Sequence, residues 1–352
     1  MSRHITIANF FAQLKADLIG KDSYRGVTLT YSWLANQFGH FSLGFIPTLL
    51  LYRCLFKKYG FDSAAKWAPI IVAGTWIAFE TYNFLGPLLL KKQSKSKLLF
   101  VPKKQSPYTF RPAWGNVAFD TLTDLGYFSL GAFCCAHIFS QYTSHSIVIW
   151  SLIVALLYPS FYWFRTKMFL QIPKFPFQFR LSQWDKSIDE AGANNVKKFL
   201  SAKEKDGMQL LIFGTKNSGK TSLAVGLATE LSIKKNASVY TTATKLYSMF
   251  AESTDPPPEI GFLWGWRGST VLVIDDINPG DPITQEIVDA KTFLQYLDAP
   301  SPAIDNRKAI TEKNVIWVLG TLDPEKKILE SWIKILKEDI KVNPDHILHV
   351  DL

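Results

Sequence analysis

The chain has 352 residues and a net charge of +9, with 14% aromatic and only 20% charged side chains. This composition and the slightly positive mean hydropathy of +0.05 exclude a largely disordered chain. A basic chain of this size would suit nucleic acid, but residues 1–180 hold 19 basic and 6 acidic side chains, whereas residues 181–352 hold 20 and 24. The basic excess therefore belongs to the hydrophobic half, and nucleic acid is not expected as a partner.

Four segments in the first half are long and apolar enough for a helix that crosses a bilayer, which needs about 20 residues. They span 37–56, 67–90, 116–139 and 146–164. The last has no charged residue, whereas the first contains a histidine and a proline, so that a re-entrant segment is the alternative there. No cleavable signal peptide is recognised before them. We therefore predict a cytoplasmic segment over 1–30 and a membrane domain of about four transmembrane helices over 31–165.

Basic loops set the predicted orientation, because Lys and Arg are retained on the cytoplasmic side of a membrane. The loop 91–115 carries seven basic residues and no acidic one, whereas residues 140–145 carry neither kind. The first loop should be cytoplasmic and the second should face outward, which places everything after the fourth span in the cytoplasm. The loop 57–66 disagrees, since its three lysines would face outward. The prediction is a multi-pass protein of a bacterial inner membrane, with membrane lipid as a direct partner.

Ionisable side chains within the predicted spans are costly in a bilayer and usually face protein, water or a bound partner. They include His40, Glu80, Asp120 and Asp124. Asp120 and Asp124 are four residues apart and share one helix face. Structural hydrogen bonds, an ion or proton pathway, and a metal site are all open interpretations of this set.

A connector over 166–206 follows the fourth span. Residues 172–184 alternate aromatic side chains with two prolines, which predicts an extended segment along the membrane surface. A helix is expected over 185–202, because apolar residues recur there at helical spacing.

A phosphate-binding loop is predicted at the start of the domain over 207–352. A buried strand over 208–213 runs directly into the sequence GTKNSGKT, which fits the pattern G-x-x-x-x-G-K-[ST], and a helical pattern follows. Glycines allow backbone N–H groups to point at a phosphate, and the helix N-terminus adds a positive dipole end. The candidate nucleotide-binding residues are Gly214, Asn217, Ser218, Gly219, Lys220, Thr221 and Ser222. Lys220 would bridge the β- and γ-phosphates, and the Thr221 hydroxyl would bind Mg²⁺.

Two further strands end in polar residues that suit the same site. The strand over 271–274 ends in Asp275 and Asp276. Asp275 is the second candidate metal ligand, and Asp276 would orient or activate an attacking water. The alternative is that both carboxylates only form a turn. The strand over 315–319 leads to Thr321, which would contact the γ-phosphate or the lytic water. The candidate catalytic residues are therefore Lys220, Asp276 and Thr321.

Residues 207–352 resemble the AAA+ class of P-loop ATPases, closest to its helicase-loader and IstB-like group. The resemblance rests on the segments GTKNSGKTS, SVYTTATKLYSMF, VLVIDDI and WVLGT. It implies binding of ATP and Mg²⁺, with hydrolysis coupled to a homo-oligomer or protein complex. By this match Lys220 and Thr221 take the Walker A roles. Asp275 and Asp276 take the Walker B roles, and Thr321 takes the sensor role.

The sequence departs from the family pattern at three points. Asp276 replaces the usual glutamate, no arginine follows Thr321, and no helical lid follows the last strand. A GTPase is the weaker alternative, because no N-K-x-D motif for guanine is present.

The predicted fold class is an α-helical transmembrane bundle followed by an α/β P-loop NTPase domain with a parallel sheet, an AAA+-like core without the lid. The predicted function is that of an integral-membrane ATPase. Its cytoplasmic domain would bind and hydrolyse Mg·ATP to drive or gate a change in the membrane bundle or in a partner. One alternative is a nucleotide-gated membrane effector or channel that uses the four ionisable residues of the spans. The other is a membrane-anchored AAA+ adaptor that recruits a protein or DNA complex.

Overall fold

The computed structural model describes residues 5–18, 28–89, 110–251, 264–277, 289–298, 305–320 and 327–352. The chain folds as two compact units. The helical unit consists of Leu14–Pro107 and Pro112–Arg165, and the sheet unit consists of Met1–Gln13, Tyr108–Arg111 and Thr166–Leu352.

Long helices make up most of the helical unit. The first five helices of the described residues are α1 (Ile7–Leu18), α2 (Leu29–Tyr59), α3 (Phe61–Leu89), α4 (Trp114–Ser140) and α5 (Thr143–Gln171), and α1 lies mostly within the residues of the sheet unit. Gly60 alone separates α2 from α3, and its φ of 83° lies in the left-handed region, where glycine meets no steric penalty. The chain reverses within this one residue, and the Trp76 indole of α3 donates to the Leu43 carbonyl oxygen of α2 at 2.9 Å.

The helices α2 and α4 approach each other most closely at two glycines. Gly44 packs directly against the backbone carbonyl oxygen of Phe128, and Gly131 packs directly against that of Phe41. A Cβ atom at either glycine would overlap the oxygen. Small residues at such a crossing allow two helix backbones to touch. At the same crossing, the ring of Trp76 of α3 stacks on the ring of Phe128 of α4, with the ring centroids 4.3 Å apart.

Gly44→Ala is expected to destabilise the helical unit by about 1–3 kcal/mol, because the added methyl group forces α2 away from α4 or strains both backbones. Gly39→Ala on the same helix is the matched control, since a Cβ at that position meets nothing within 4 Å. The thermal unfolding midpoint of the full chain in detergent, followed by circular dichroism, measures both variants. Equal midpoints would contradict the close crossing.

Two helices of the described residues, α4 and α5, are long and apolar enough to cross a membrane. They contain the predicted segments 116–139 and 146–164. The helices α2 and α3 hold the described part of the other two segments, and they do not meet the same requirement of length and composition. Length and composition therefore support two of the four predicted spans.

A five-stranded parallel sheet forms the centre of the sheet unit. Its strands are β1 (Gln209–Gly214), β2 (Ser238–Thr242), β3 (Val271–Asp275), β4 (Asn314–Gly320) and β5 (Ile347–Asp351), in the order β2-β3-β4-β1-β5. Every residue of β1, β3 and β4 is buried. Such continuous apolar runs are typical of parallel strands that are covered on both faces.

Helices cover both faces of this sheet. They are α6 (Glu190–Leu200), α7 (Lys220–Ile233), α8 (Ala243–Ala251), α9 (Ala290–Asp298), α10 (Asn306–Thr311) and α11 (Lys327–Glu338). Alternate strand residues enter two separate cores, because successive side chains of a strand point to opposite faces. Ile212 of β1 packs with Leu227 of α7 in one core, and Trp317 of β4 packs with Trp332 of α11 in the other.

The connector after α5 belongs to one of these cores. Leu181 and Trp184 are each 3% exposed and pack in the core that α6 and α7 cover. The prediction of a segment along a membrane surface is therefore wrong for these residues: aromatic side chains suit a protein core as well as an interface. The following helix begins at Glu190, later than predicted, because the Asp189 side chain caps it by accepting from the Gly192 N–H.

Candidate functional site

The carboxyl ends of the parallel strands meet at one edge of the sheet and bring the predicted motifs together. Gly214 at the end of β1 pairs with Gly320 at the end of β4, and Asp275 at the end of β3 pairs with Thr242 at the end of β2. Because β4 lies between β1 and β3, its end stands between the loop after β1 and the acidic pair. Ligands of open parallel sheets bind at such ends. Thr321, the predicted sensor residue, lies outside the described residues.

The loop between β1 and α7 curls tightly. Gly214, Asn217 and Gly219 have φ values of 154°, 63° and 99°, which glycine adopts freely and asparagine tolerates better than most residues. The next residue, Lys220, begins α7. Its Nζ donates to the carbonyl oxygens of Gly214 and Thr215 at 2.9 Å and 2.6 Å. The ammonium group is therefore folded back over the loop.

A pocket of about 480 Å³ opens at this loop, a size that suits a small-molecule ligand. It is lined by seven of the predicted site residues, Asn217, Gly219, Lys220, Thr221, Ser222, Asp275 and Asp276, and by Lys186, Lys216, Val318 and Gly320. Beside it, the Ser218 hydroxyl is buried and has no hydrogen-bond partner among the described residues. An orphaned hydroxyl, a tight turn with glycines at both ends and an ammonium group fit nucleotide phosphates. Thr221 and Asp275 offer the oxygen ligands that Mg²⁺ prefers.

The acidic pair is held by hydrogen bonds. Asp275 is 1% exposed, and its Oδ2 accepts from the Tyr240 hydroxyl of β2 at 2.7 Å, while its Oδ1 accepts from the Asp276 backbone N–H at 2.7 Å. Burial, reinforced by the charge of Asp275, raises the pKa of Asp276. Burial also lowers the pKa of Lys220, although the negative charge of Asp275 acts in the other direction and raises it. A raised carboxyl pKa suits a group that accepts a proton.

Tyr240→Phe is expected to lower the free energy of unfolding of the sheet unit by about 1–3 kcal/mol, because it leaves a buried carboxylate with one donor fewer. Burial and the charge of Asp275 raise the pKa of Tyr240, so the hydroxyl stays a donor throughout the neutral range. Tyr247→Phe is the control, since the Tyr247 hydroxyl is buried without a partner among the described residues. Chemical unfolding followed by tryptophan fluorescence measures both, and equal losses would contradict the role of Tyr240.

Two residues of the connector also reach the loop, and no sequence motif indicated them. The Trp184 ring lies on Gly219, where an added Cβ would come within 2.8 Å of the ring atom Cη2. The Lys186 Nζ donates to the Asn217 carbonyl oxygen at 2.8 Å and lines the pocket. Tertiary packing alone brings these residues to the site.

The ionisable residues of the predicted spans are only partly brought together. His40 Nε2 lies 3.2 Å from Asp124 Oδ1, and the two residues belong to α2 and α4. Glu80 and Asp120 are not part of this pair. Within the described residues, no group of three or more His, Cys, Asp or Glu side chains could hold a metal ion, so the metal interpretation of this set has no support there.

Comparisons with known proteins give little for this chain. No family model matches it, and no curated protein matches it. Among solved structures it is similar to a crystal structure titled DnaI, at 16% sequence identity and a TM-score of 0.30, over 49% of this chain and 87% of that chain. A similarity of this strength carries no argument about activity. The parallel five-stranded sheet with helices on both faces fits an α/β domain of the P-loop NTPase type.

Proposed function

We propose that the sheet unit is a Mg²⁺-dependent ATPase that binds the nucleotide phosphates at the loop between β1 and α7. The observation that carries this proposal is the single pocket lined by Lys220, Thr221, Asp275 and Asp276. These residues come from separate segments of the sequence. A phosphate-binding motif and a pair of carboxylates at the end of a nearby strand are the two parts that such chemistry needs.

Each residue has a role that its position allows. The Lys220 ammonium would exchange the loop carbonyls, its present acceptors, for oxygens of the β- and γ-phosphates. The Thr221 hydroxyl and the Asp275 carboxylate would hold Mg²⁺ directly or through water, and the ion would neutralise phosphate charge. Asp276 would orient the attacking water and accept its proton. Thr321 would contact the γ-phosphate.

The helical unit is proposed to lie in a membrane as a multi-pass domain, with the ATPase on the cytoplasmic side. The most apolar stretch of α5 is only 11% buried, and the side chains of Ile147, Trp150 and Val154 are at least 63% exposed. A surface of this kind is unfavourable in water and suits lipid. After alkaline carbonate extraction of cell membranes, the chain is expected to remain in the pellet, whereas its release would contradict a membrane-spanning unit.

Nucleotide binding and hydrolysis would drive or gate a change in the helical unit or in a partner protein. In P-loop switches, γ-phosphate contacts order nearby loops, and hydrolysis releases them. The segments that follow Asp276 and Gly320 are the candidates, because the strands before them end at the pocket; residues 278–288 and 321–326 of these segments lie outside the described residues. We propose that the chain acts as a homo-oligomer or within a protein complex, as the sequence resemblance implies.

Binding of nucleotide to the purified full chain in detergent tests this proposal. A fluorescent ATP analogue should bind in the presence of Mg²⁺ and should bind more weakly after chelation of the metal. Unlabelled ATP should displace it at lower concentration than GTP, because the sequence lacks the N-K-x-D guanine motif. Absence of binding would overturn the proposal. Tighter binding of GTP than of ATP would identify GTP as the substrate.

A second candidate function, a nucleotide-gated membrane effector or channel, is favoured by the pair of His40 and Asp124. Ionisable side chains between two helices in a bilayer are costly, and such residues often mark ion or proton pathways; His40 Nε2 and Asp124 Oδ1 are 3.2 Å apart. Liposomes that contain the full chain would then show ATP-dependent ion flux, reduced by Asp124→Asn and retained by Asp276→Asn. No flux from the wild-type chain would exclude this candidate.

A further inference from the structure

We propose that Lys186 of the connector is a second lysine of the phosphate site, which binds phosphate oxygens of the nucleotide together with Lys220. This inference rests on the proposed function. It adds a residue that lies outside the loop motif and outside the acidic pair.

Each of the two lysines donates to a backbone carbonyl oxygen of the loop between β1 and α7. The Lys186 Nζ donates to the carbonyl oxygen of Asn217, and the Lys220 Nζ donates to the carbonyl oxygens of Gly214 and Thr215. Both ammonium groups therefore rest on backbone acceptors of one short loop, and both line the same pocket. A phosphate oxygen is a charged acceptor and forms a shorter, stronger bond with an ammonium group than a neutral carbonyl does. Phosphates in the pocket would offer each lysine a better partner.

The position of Lys186 is fixed from both sides. Two residues before it, Trp184 is 3% exposed, packs in the core of the sheet unit and lies on Gly219 of the loop. Three residues after it, Asp189 caps α6 through the Gly192 N–H. The backbone that carries Lys186 is thus held beside the loop, which keeps its exposed side chain within reach of the pocket.

The charged residues that line the pocket favour a role for Lys186 in phosphate binding. The described residues that line the pocket include three lysines and two carboxylates, Asp275 and Asp276, and none of them is an arginine. Phosphoryl transfer needs positive charge at the phosphates beyond the metal ion, which many P-loop enzymes obtain from an arginine. Lys186 is placed to supply part of that charge from within the same chain.

The same connector touches the metal side of the site. The carbonyl oxygen of Pro173 accepts from the Tyr240 backbone N–H at 3.1 Å, and the Tyr240 hydroxyl holds Asp275. Pro173 follows the end of α5 at Gln171. The connector therefore contacts the site at two places, at the loop through Lys186 and at β2 through Pro173.

Charge-matched variants of the full chain in detergent test this inference, with Mg·ATP and inorganic tripolyphosphate as the probes. Lys186→Gln keeps a donor for the Asn217 carbonyl but removes the charge, and it is expected to weaken binding of both probes about tenfold. Lys186→Arg keeps the charge and should retain most of the affinity. Lys205→Gln, an exposed lysine outside the pocket lining, is the control and should bind as the wild type does.

The outcomes separate the inference from the proposed function. A wild-type chain that binds both probes, together with a Lys186→Gln variant of equal affinity, would overturn the inference and leave the ATP site intact. A wild-type chain that binds neither probe would overturn the proposed function itself. The unfolding midpoint of Lys186→Gln without nucleotide should match that of the wild type. If the midpoint of this variant is lowered by enough to explain its weaker binding, Lys186 stabilises the loop and does not contact phosphate.

Discussion

Lys220→Ala is expected to weaken the binding of Mg·ATP by at least about a hundredfold. In the proposed site the Lys220 ammonium bonds to two phosphates, and hydrogen bonds to charged groups contribute about 1.5–3 kcal/mol each. Two such bonds correspond to a hundredfold or more in affinity, at about 1.4 kcal/mol per tenfold. The measurement is equilibrium binding of a fluorescent ATP analogue to the purified full chain.

The control for this change is Lys234→Ala, at the other end of the same helix. Lys234 is exposed and donates to the Leu200 carbonyl oxygen, away from the pocket. Its replacement should leave the affinity unchanged. Burial lowers the pKa of Lys220, which means that the folded state disfavours its charge, so its loss should not unfold the domain. Equal affinities for the two alanine variants would contradict the proposed phosphate site.

Asp276→Asn is expected to reduce the turnover of ATP by about 10²–10⁴-fold, the range typical of a general base, while nucleotide binding is retained. The amide of asparagine cannot accept the proton of the attacking water. Release of inorganic phosphate measures the turnover, and equilibrium binding of a fluorescent ATP analogue measures the retained binding.

This substitution isolates the chemistry from the fold. Asp276 has a φ of 55°, and asparagine tolerates the left-handed region as well as aspartate does. A carboxyl whose pKa is raised in the folded state destabilises that state once it ionises, so the neutral amide should leave the unfolding midpoint equal or higher at neutral pH. An Asp276→Asn variant with wild-type turnover would exclude Asp276 as the base. Loss of nucleotide binding would instead assign it to the metal.

The strands and the loop of the sheet unit follow closely from local patterns. Buried runs such as VLVI are marked by their β-branched residues, and the observed β3 extends this run by one residue to Asp275. The loop motif fixed the positions of Gly214, Gly219 and Lys220 because its glycines and lysine have a defined spacing. Parallel pairing then requires that motifs after separate strands meet at one edge, as Gly214 and Gly320 do.

The parts of the site that were missed depend on tertiary packing. Tyr240 lies two residues before the end of β2, and nothing local indicates that its hydroxyl reaches Asp275 on the neighbouring strand. Trp184 ends the segment that was predicted to be extended, and Lys186 lies in the stretch 185–202 that was predicted to be helical. Neither pattern indicates a contact with the loop between β1 and α7. Aromatic residues suit an interface or a core equally well, and Trp184 lies in the core against α7.

The described residues of the four apolar segments lie on long helices, of which α4 and α5 are long and apolar enough to cross a membrane. The helix α2 extends to Tyr59 and includes two lysines of the loop assigned to 57–66. The three lysines assigned to a loop over 57–66 lie instead within α2 and α3, on either side of Gly60. The contact of His40 with Asp124 was within the predicted set, whereas the close crossing at Gly44 and Gly131 gave no sequence signal beyond two small residues.

Release of inorganic phosphate from ATP by the full chain, purified from membranes in detergent, tests the central claim most directly. The account predicts release that requires Mg²⁺, saturates with ATP and disappears in Asp276→Asn, although that variant still binds the nucleotide. A wild-type chain that binds no ATP and releases no phosphate would contradict the account. So would release that is equal in the wild type and in Asp276→Asn.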